Sequence, residues 1–154
     1  MNISLGCDHA GFQLKSAVAA HLQSLGCEVT DHGCHSSDAV DFPDIARLVC
    51  QSVLSGEAER GIMVCGTGVG ASIAANKIPG IRAAVCHDYH SAHQSVEHDD
   101  VNVMCIGAQI VGAWLAKDLI TSFVQATFST EEQFRRRVEK LAVLEREAVQ
   151  YVKP

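Results

Sequence analysis

The sequence predicts an α/β fold, a five-stranded parallel sheet with helices on both faces. Two observations carry this. Short apolar runs alternate with longer amphipathic segments along the whole chain. One of the runs, Gly61 to Cys65, is apolar at nearly every position, as in a strand buried on both faces. The aromatic share is only 5%, so the core rests on Val, Ile, Leu, Ala and Met.

The elements follow in order. Ile3 to Cys7 reads as a buried strand, and Gly11 to Leu25 as a helix with apolar positions at Phe12, Leu14, Val18 and Leu22. Gly26 ends that helix. Glu28 to Thr30 is a short second strand. Pro43 suits the first turn of a second helix, running to about Leu54. Gly61 to Cys65 is the third strand, and a glycine turn opens a helix from Val69 to Lys77. Ile81 to Cys86 and Val103 to Ile106 are the fourth and fifth strands, with a helix from Tyr89 to Glu97 between them. A helix from Val111 to Thr127 precedes a last one from Thr130 to Val152. Thr130 with Gln133 resembles a capping box at its start. The last helix exceeds what one domain face needs, which suggests packing on a second subunit. The chain, residues 1–154, is read as a single domain.

Bulk properties exclude several function classes. The net charge is -6, with acidic and basic residues mixed, so no basic stripe for nucleic acid is present. No run approaches a membrane span, and the start of the chain does not read as a signal peptide. The seven cysteines lack CxxC pairs, which fits free thiols in the cytoplasm better than a disulfide framework.

Ligands of an open parallel sheet bind beyond the carboxyl ends of the strands. Four polar clusters are assigned to that edge: Cys7 to Gly11, Cys65 to Gly70, Cys86 to His90, and His98 to Asn102 just before the fifth strand. The Cys65 loop is the strongest signal. Gly66, Gly68 and Gly70 allow a sharp turn and close approach of backbone to a ligand. Their N–H groups at a helix start can cradle an anion. The same field should lower the pKa of Cys65 and favour its thiolate. Such a thiolate serves either as a base on a carbon acid, with the amides holding an enediolate, or as a nucleophile. Two other readings stay open on spacing alone. One is a tight turn with a buried thiol. The other is a dinucleotide fingerprint, Gly66-x-Gly68-x-x-Ala71 with Asp88 as the acidic partner. Asp8 and His9 could bind hydroxyls or phosphate, or Asp8 could cap the next helix. His87, His90, His93 and His98 form no firm metal-ligand set. Arg135, Arg136 and Arg137 read as a solvated face or an anion clamp.

Taken together, GCDHAG, VCGTGVG with SIAANK after it, GIRAAVC, HDDVNV and RRRVEK resemble the ribose-5-phosphate isomerase B family, which includes allose- and galactose-6-phosphate isomerases. The resemblance covers nearly the whole chain. It implies a Rossmann-like three-layer α/β/α sandwich, assembled as a homodimer or homotetramer with shared sites, that needs no metal and no nucleotide. It implies aldose–ketose isomerisation of a sugar phosphate through an enediolate. By that analogy Cys65 moves the proton between C1 and C2, Thr67 assists near O1 and O2, and the Gly66, Gly68, Val69 and Gly70 loop holds the enediolate. His98 opens the sugar ring. Asp8 contacts hydroxyls, His9 the phosphate, and Arg137 the phosphate across a dimer interface.

The sequence departs from the family pattern at matched positions. Gln109 stands where the family often has Arg, and Gln133-Phe134 replaces a usual Arg-His pair. Asp99 replaces Asn after the ring-opening His, and Phe42 the Tyr of a Tyr-Pro pair. Gln109, Gln133 and Asp99 are therefore substrate-binding candidates with altered chemistry. Losing one charged hydrogen-bond partner costs about 1.5–3 kcal/mol. The catalytic half is intact, and the phosphate half is thinner.

Overall fold

The computed structural model describes residues 1–151. Five parallel strands form one sheet: β1 (Asn2–Cys7), β2 (Glu28–Asp31), β3 (Arg60–Cys65), β4 (Ala83–Val85) and β5 (Val103–Gly107), in the order β2-β1-β3-β5-β4. The connecting helices are α1 (Phe12–Ser24), α2 (Phe42–Leu54), α3 (Val69–Ala75), α4 (Tyr89–Asp99) and α5 (Ala113–Gln125). Helix α6 (Glu132–Glu147) follows, ending in a 3-10 turn over Ala148–Tyr151. Val152, the expected end of the last helix, lies outside the described residues.

Strand alternation builds two cores. Ile3, Leu5, Ile62, Val64, Met104 and Ile106 point to one face, where Leu14, Val18 and Leu22 of α1 and Leu119, Ile120 and Phe123 of α5 cover them. Met63, Cys65, Val103 and Cys105 point to the other, under Ala46, Val49 and Cys50 of α2 and Ala71 and Ala75 of α3. Helix α4 packs beside α5, and α3 beside α2. All seven cysteines are free and buried. The fold is the predicted α/β/α sandwich.

Three local expectations change. The fourth strand shrinks from Ile81–Cys86 to Ala83–Val85, because it is an edge strand with ladder bonds on one side only. The capping box at Thr130 does not form. Glu131 is the N-cap of α6, and the Gln133 amide donates to the Glu131 carboxylate instead. The cluster from His98 to Asn102 is not at the carboxyl edge. A residue that precedes a parallel strand lies at its amino edge, and Asn102 indeed accepts the Gly61 amide at the start of β3, at 2.8 Å.

Candidate active site

Strands β1 and β3 are neighbours, with Cys7 in register with Val64. The next residue on each chain segment, Asp8 and Cys65, therefore emerges at the same carboxyl edge. Cys65 Sγ donates to Asp8 Oδ2 at 2.9 Å, and both residues are buried. Asp8 Oδ1 accepts the Gly11 amide at 2.9 Å, which braces the turn into α1. Each carboxylate oxygen thus has its own task. The sequence suggests hydroxyls, phosphate or a helix start as partners of Asp8; its pairing with Cys65 comes from the fold.

Cys65 ends β3 and the glycine turn lifts the chain into α3. Gly68 sits at φ +79°, a left-handed conformation that glycine adopts without strain. Gly70 lies under Phe42. A Cβ there would come within 2.9 Å of the Phe42 ring, so glycine lets this aromatic residue lie against the loop. The backbone N–H of Gln109, just after β5, donates to the Gly66 carbonyl at 3.0 Å. Thr67 and Val69 are exposed on the loop, and the Thr67 hydroxyl accepts the Val69 amide at 3.4 Å. The exposed His9 accepts the Val40 amide at Nδ1, at 3.3 Å. With Nδ1 accepting, a neutral His9 ring carries its proton on Nε2, which is then a donor.

The electrostatics correct one expectation. The pKa of Cys65 is raised, not lowered. Burial is the largest cause, and the hydrogen bond and negative charge of Asp8 push the same way. The Gly66 and Gly68 amides do pull it down, as the loop geometry suggested, but they lose to those two effects. Burial and Asp8 together favour the protonated thiol as the donor in this contact.

The other predicted residues gather elsewhere. His98 and Asp99 close α4 at the amino edge of the sheet, and the Glu97 carbonyl accepts the Ser129 amide at 2.9 Å. That bond brings the start of α6 alongside. His98 stacks on Phe134, with centroids 3.9 Å apart and planes 13° apart. The Arg137 guanidinium lies over the same Phe134 ring at 5.5 Å. Gln133, next to Phe134 in sequence, is half-buried and donates to the Glu131 carboxylate. Arg135 sits over Phe128 at 4.9 Å, and Arg136 lies 3.8 Å from Glu132. The four steps of β5 alone, at about 3.3 Å each, put roughly 13 Å of strand between this cluster and the Cys65 edge. One chain therefore carries two clusters of candidate residues at opposite ends of its sheet.

The geometry bears on the alternatives left open. Asp88, the acidic partner of the dinucleotide reading, is the N-cap of α4. Its two oxygens take the Ser91 amide at 2.8 Å and the Ser91 hydroxyl at 2.7 Å. His87 Nε2 accepts the Gly107 amide at 3.0 Å. Among the described residues no three His, Cys, Asp or Glu side chains converge as metal ligands, and no helix is long and apolar enough to cross a membrane.

Comparison with known proteins agrees with the fold. The model of the Ribose/Galactose Isomerase family matches residues 3–141. Ribose-5-phosphate isomerase B of Escherichia coli is 45% identical over 143 residues, covering 93% of this chain and 95% of the relative. A D-erythrulose-4-phosphate isomerase of Pectobacterium atrosepticum is 37% identical, covering 83% of this chain and 85% of its own. The structure of ribose-5-phosphate isomerase B from Clostridium thermocellum superposes with a TM-score of 0.93 at 44% identity, over 96% of this chain and 99% of that one. With a family match over most of its length and the Cys65 loop built on this sheet, the chain belongs to the ribose/galactose isomerase family.

Proposed function

We propose that the protein interconverts ribose 5-phosphate and ribulose 5-phosphate through an enediolate, with Cys65 as the base. The observation that carries this reading is the Cys65–Asp8 contact of 2.9 Å at the foot of the glycine loop. In the forward direction a proton leaves C2 of the open-chain aldose for Cys65 sulfur, the same proton or one from solvent is returned to C1, and the proton of the O2 hydroxyl passes to O1. The amides of Gly66, Gly68, Val69 and Gly70 stabilise the enediolate oxygen, since the first N–H groups of a helix have no partner within it. Thr67 lies beside them. The thiol must first lose its own proton, and Asp8 is the acceptor within reach.

His98 of the partner subunit opens the sugar ring, and Arg137 and Gln133 of the partner subunit meet the phosphate with His9 and Gln109. This arrangement is supported by the two clusters, neither of which is complete alone. Exposed apolar side chains flank both: Val69, Ile73, Ile110 and Trp114 at the carboxyl edge, and Leu141 and Leu144 on α6. A homodimer would cover such surface. Seven free buried thiols support a reducing, cytoplasmic setting.

The test is a coupled assay with ribose 5-phosphate, erythrose 4-phosphate and a hexose 6-phosphate in deuterated water. Turnover of ribose 5-phosphate with deuterium entering the product supports the reading. Cys65→Ala should keep the urea midpoint yet lose about 10²–10⁴-fold in rate, the usual worth of a positioned acid or base. Faster turnover of either other sugar would move the substrate while keeping the chemistry.

A further inference from the structure

Phe134 occupies an unusual place. It is the one aromatic side chain of α6, and α6 buries none of its residues. Its ring is covered by groups of the second cluster. His98 stacks on it nearly parallel at 3.9 Å, and Arg137 lies over it at 5.5 Å. The imidazole is restrained at its edge as well. Glu97 Oε2 lies 3.7 Å from His98 Nε2 and 3.5 Å from His93 Nε2. The His98 side chain keeps 28% exposure, so one edge stays open.

We propose that Phe134 is a positioning residue for ring opening: it fixes the plane of the His98 imidazole and ties it to Arg137. This rests on the reading that His98 opens the furanose. A histidine near the end of a surface helix has two freely turning side-chain bonds. Parallel stacking on a flat ring removes most of that freedom, and proton transfer requires the donor nitrogen within hydrogen-bond reach of the ring oxygen. Phe134 itself has no proton to exchange. It cannot replace His98 as an acid, and it shields one face of the imidazole from water. Arg137 over the same ring couples the group that would grip the phosphate to the group that would meet the ring oxygen. In a pentofuranose 5-phosphate these two ends are joined by C4 and C5 alone, so a fixed spacing between the two protein groups matches a fixed spacing in the substrate.

The two directions of the reaction separate this role from general damage. Ribose 5-phosphate is mostly a closed ring. Ribulose 5-phosphate cannot close a five-membered ring, because the oxygen that would do so carries the phosphate. Solvent deuterium exchange at C1 of ribulose 5-phosphate therefore reads proton transfer by Cys65 without any ring step. Phe134→Ala should lower kcat/KM for ribose 5-phosphate about tenfold or more, a fraction of the 10²–10⁴ available to an acid. At saturating ribulose 5-phosphate, where weaker phosphate binding through Arg137 no longer counts, the exchange rate should stay within about twofold, as a step that does not use that acid. Phe134→Tyr should restore turnover. In a His98→Ala background, Phe134→Ala should add nothing. The proton resonances of His98, shifted upfield by the stacked ring in the wild type, should move downfield in Phe134→Ala.

Equal losses in both reactions, or no loss in either, overturn the proposal. Unmoved His98 resonances overturn it whatever the rates. A wild type that exchanges no C1 proton would instead overturn the isomerase reading, and the resonances would still report the stack on their own.

Discussion

Asp8 determines two things at once about Cys65. As a hydrogen-bond acceptor it holds the thiol in place, and as a negative charge it opposes the thiolate. Asp8→Asn separates these effects. Without the charge, the Cys65 thiol becomes more acidic, so the pH midpoint of its alkylation by iodoacetamide should move down. Turnover should nevertheless fall by about 10- to 150-fold, the worth of a charged hydrogen-bond partner, because the neutral amide cannot accept the proton. Acidity and activity moving in opposite directions is the signature; a rise in both would remove Asp8 from the proton path. None of this is legible locally. Asp8 and Cys65 are 57 residues apart, and only the pairing of β1 with β3 brings them together. The amide field of the glycine loop could be read from sequence. The burial that outweighs it depends on α2 and α3 closing over that face, a tertiary fact.

At the scale of elements, the apolar runs were good guides where both faces are covered. Gly61 to Cys65 has the pattern of a buried strand, and β3 is one, buried from Gly61 to Cys65. The edge was harder. Ile81 to Cys86 has the same apolar character as the inner strands, but only Ala83–Val85 pairs, since β4 has a neighbour on one side. Its outer side is partly occupied by Asn76, at the end of α3. The Asn76 amide donates to the Ala83 carbonyl at 2.8 Å, and its oxygen accepts the Ala83 N–H at 2.9 Å. The side chain imitates one residue of a missing strand, a way of blunting an open edge. Asn76→Ala should cost about 1–3 kcal/mol for two hydrogen bonds, read as a lower urea midpoint, and should raise light scattering at high protein concentration. An unchanged midpoint would show that water replaces both bonds. Helix α6 shows the opposite limit. Its charge-rich sequence made its existence plain, but not its starting residue, because Glu131 and Ser129 compete with Thr130 for the cap.

For the whole molecule the decisive fact is the position of His98. Its motif was readable, but its edge was not, since a linear list of polar clusters does not say which end of the sheet each one faces. A parallel sheet puts residues before and after a strand at opposite ends, so Cys65 and His98 are parted by the length of β5. The proposed dimer joins them across its axis, and subunit mixing tests this. Cys65→Ala and His98→Ala chains should each be inactive or weak alone. Unfolded together and reassembled, they should recover about a quarter of wild-type activity, because half the dimers are mixed and each holds one intact site. No recovery would place the whole site within one chain. In the proposed dimer the same separation would tie catalysis to mass action. A lone chain has Cys65 and His98 at opposite ends of its sheet, so on that proposal the rate per chain follows the fraction that has met a partner. Dilution then acts as an off-switch, and the strength of subunit association sets the lowest concentration at which the cell obtains any catalysis from the gene product.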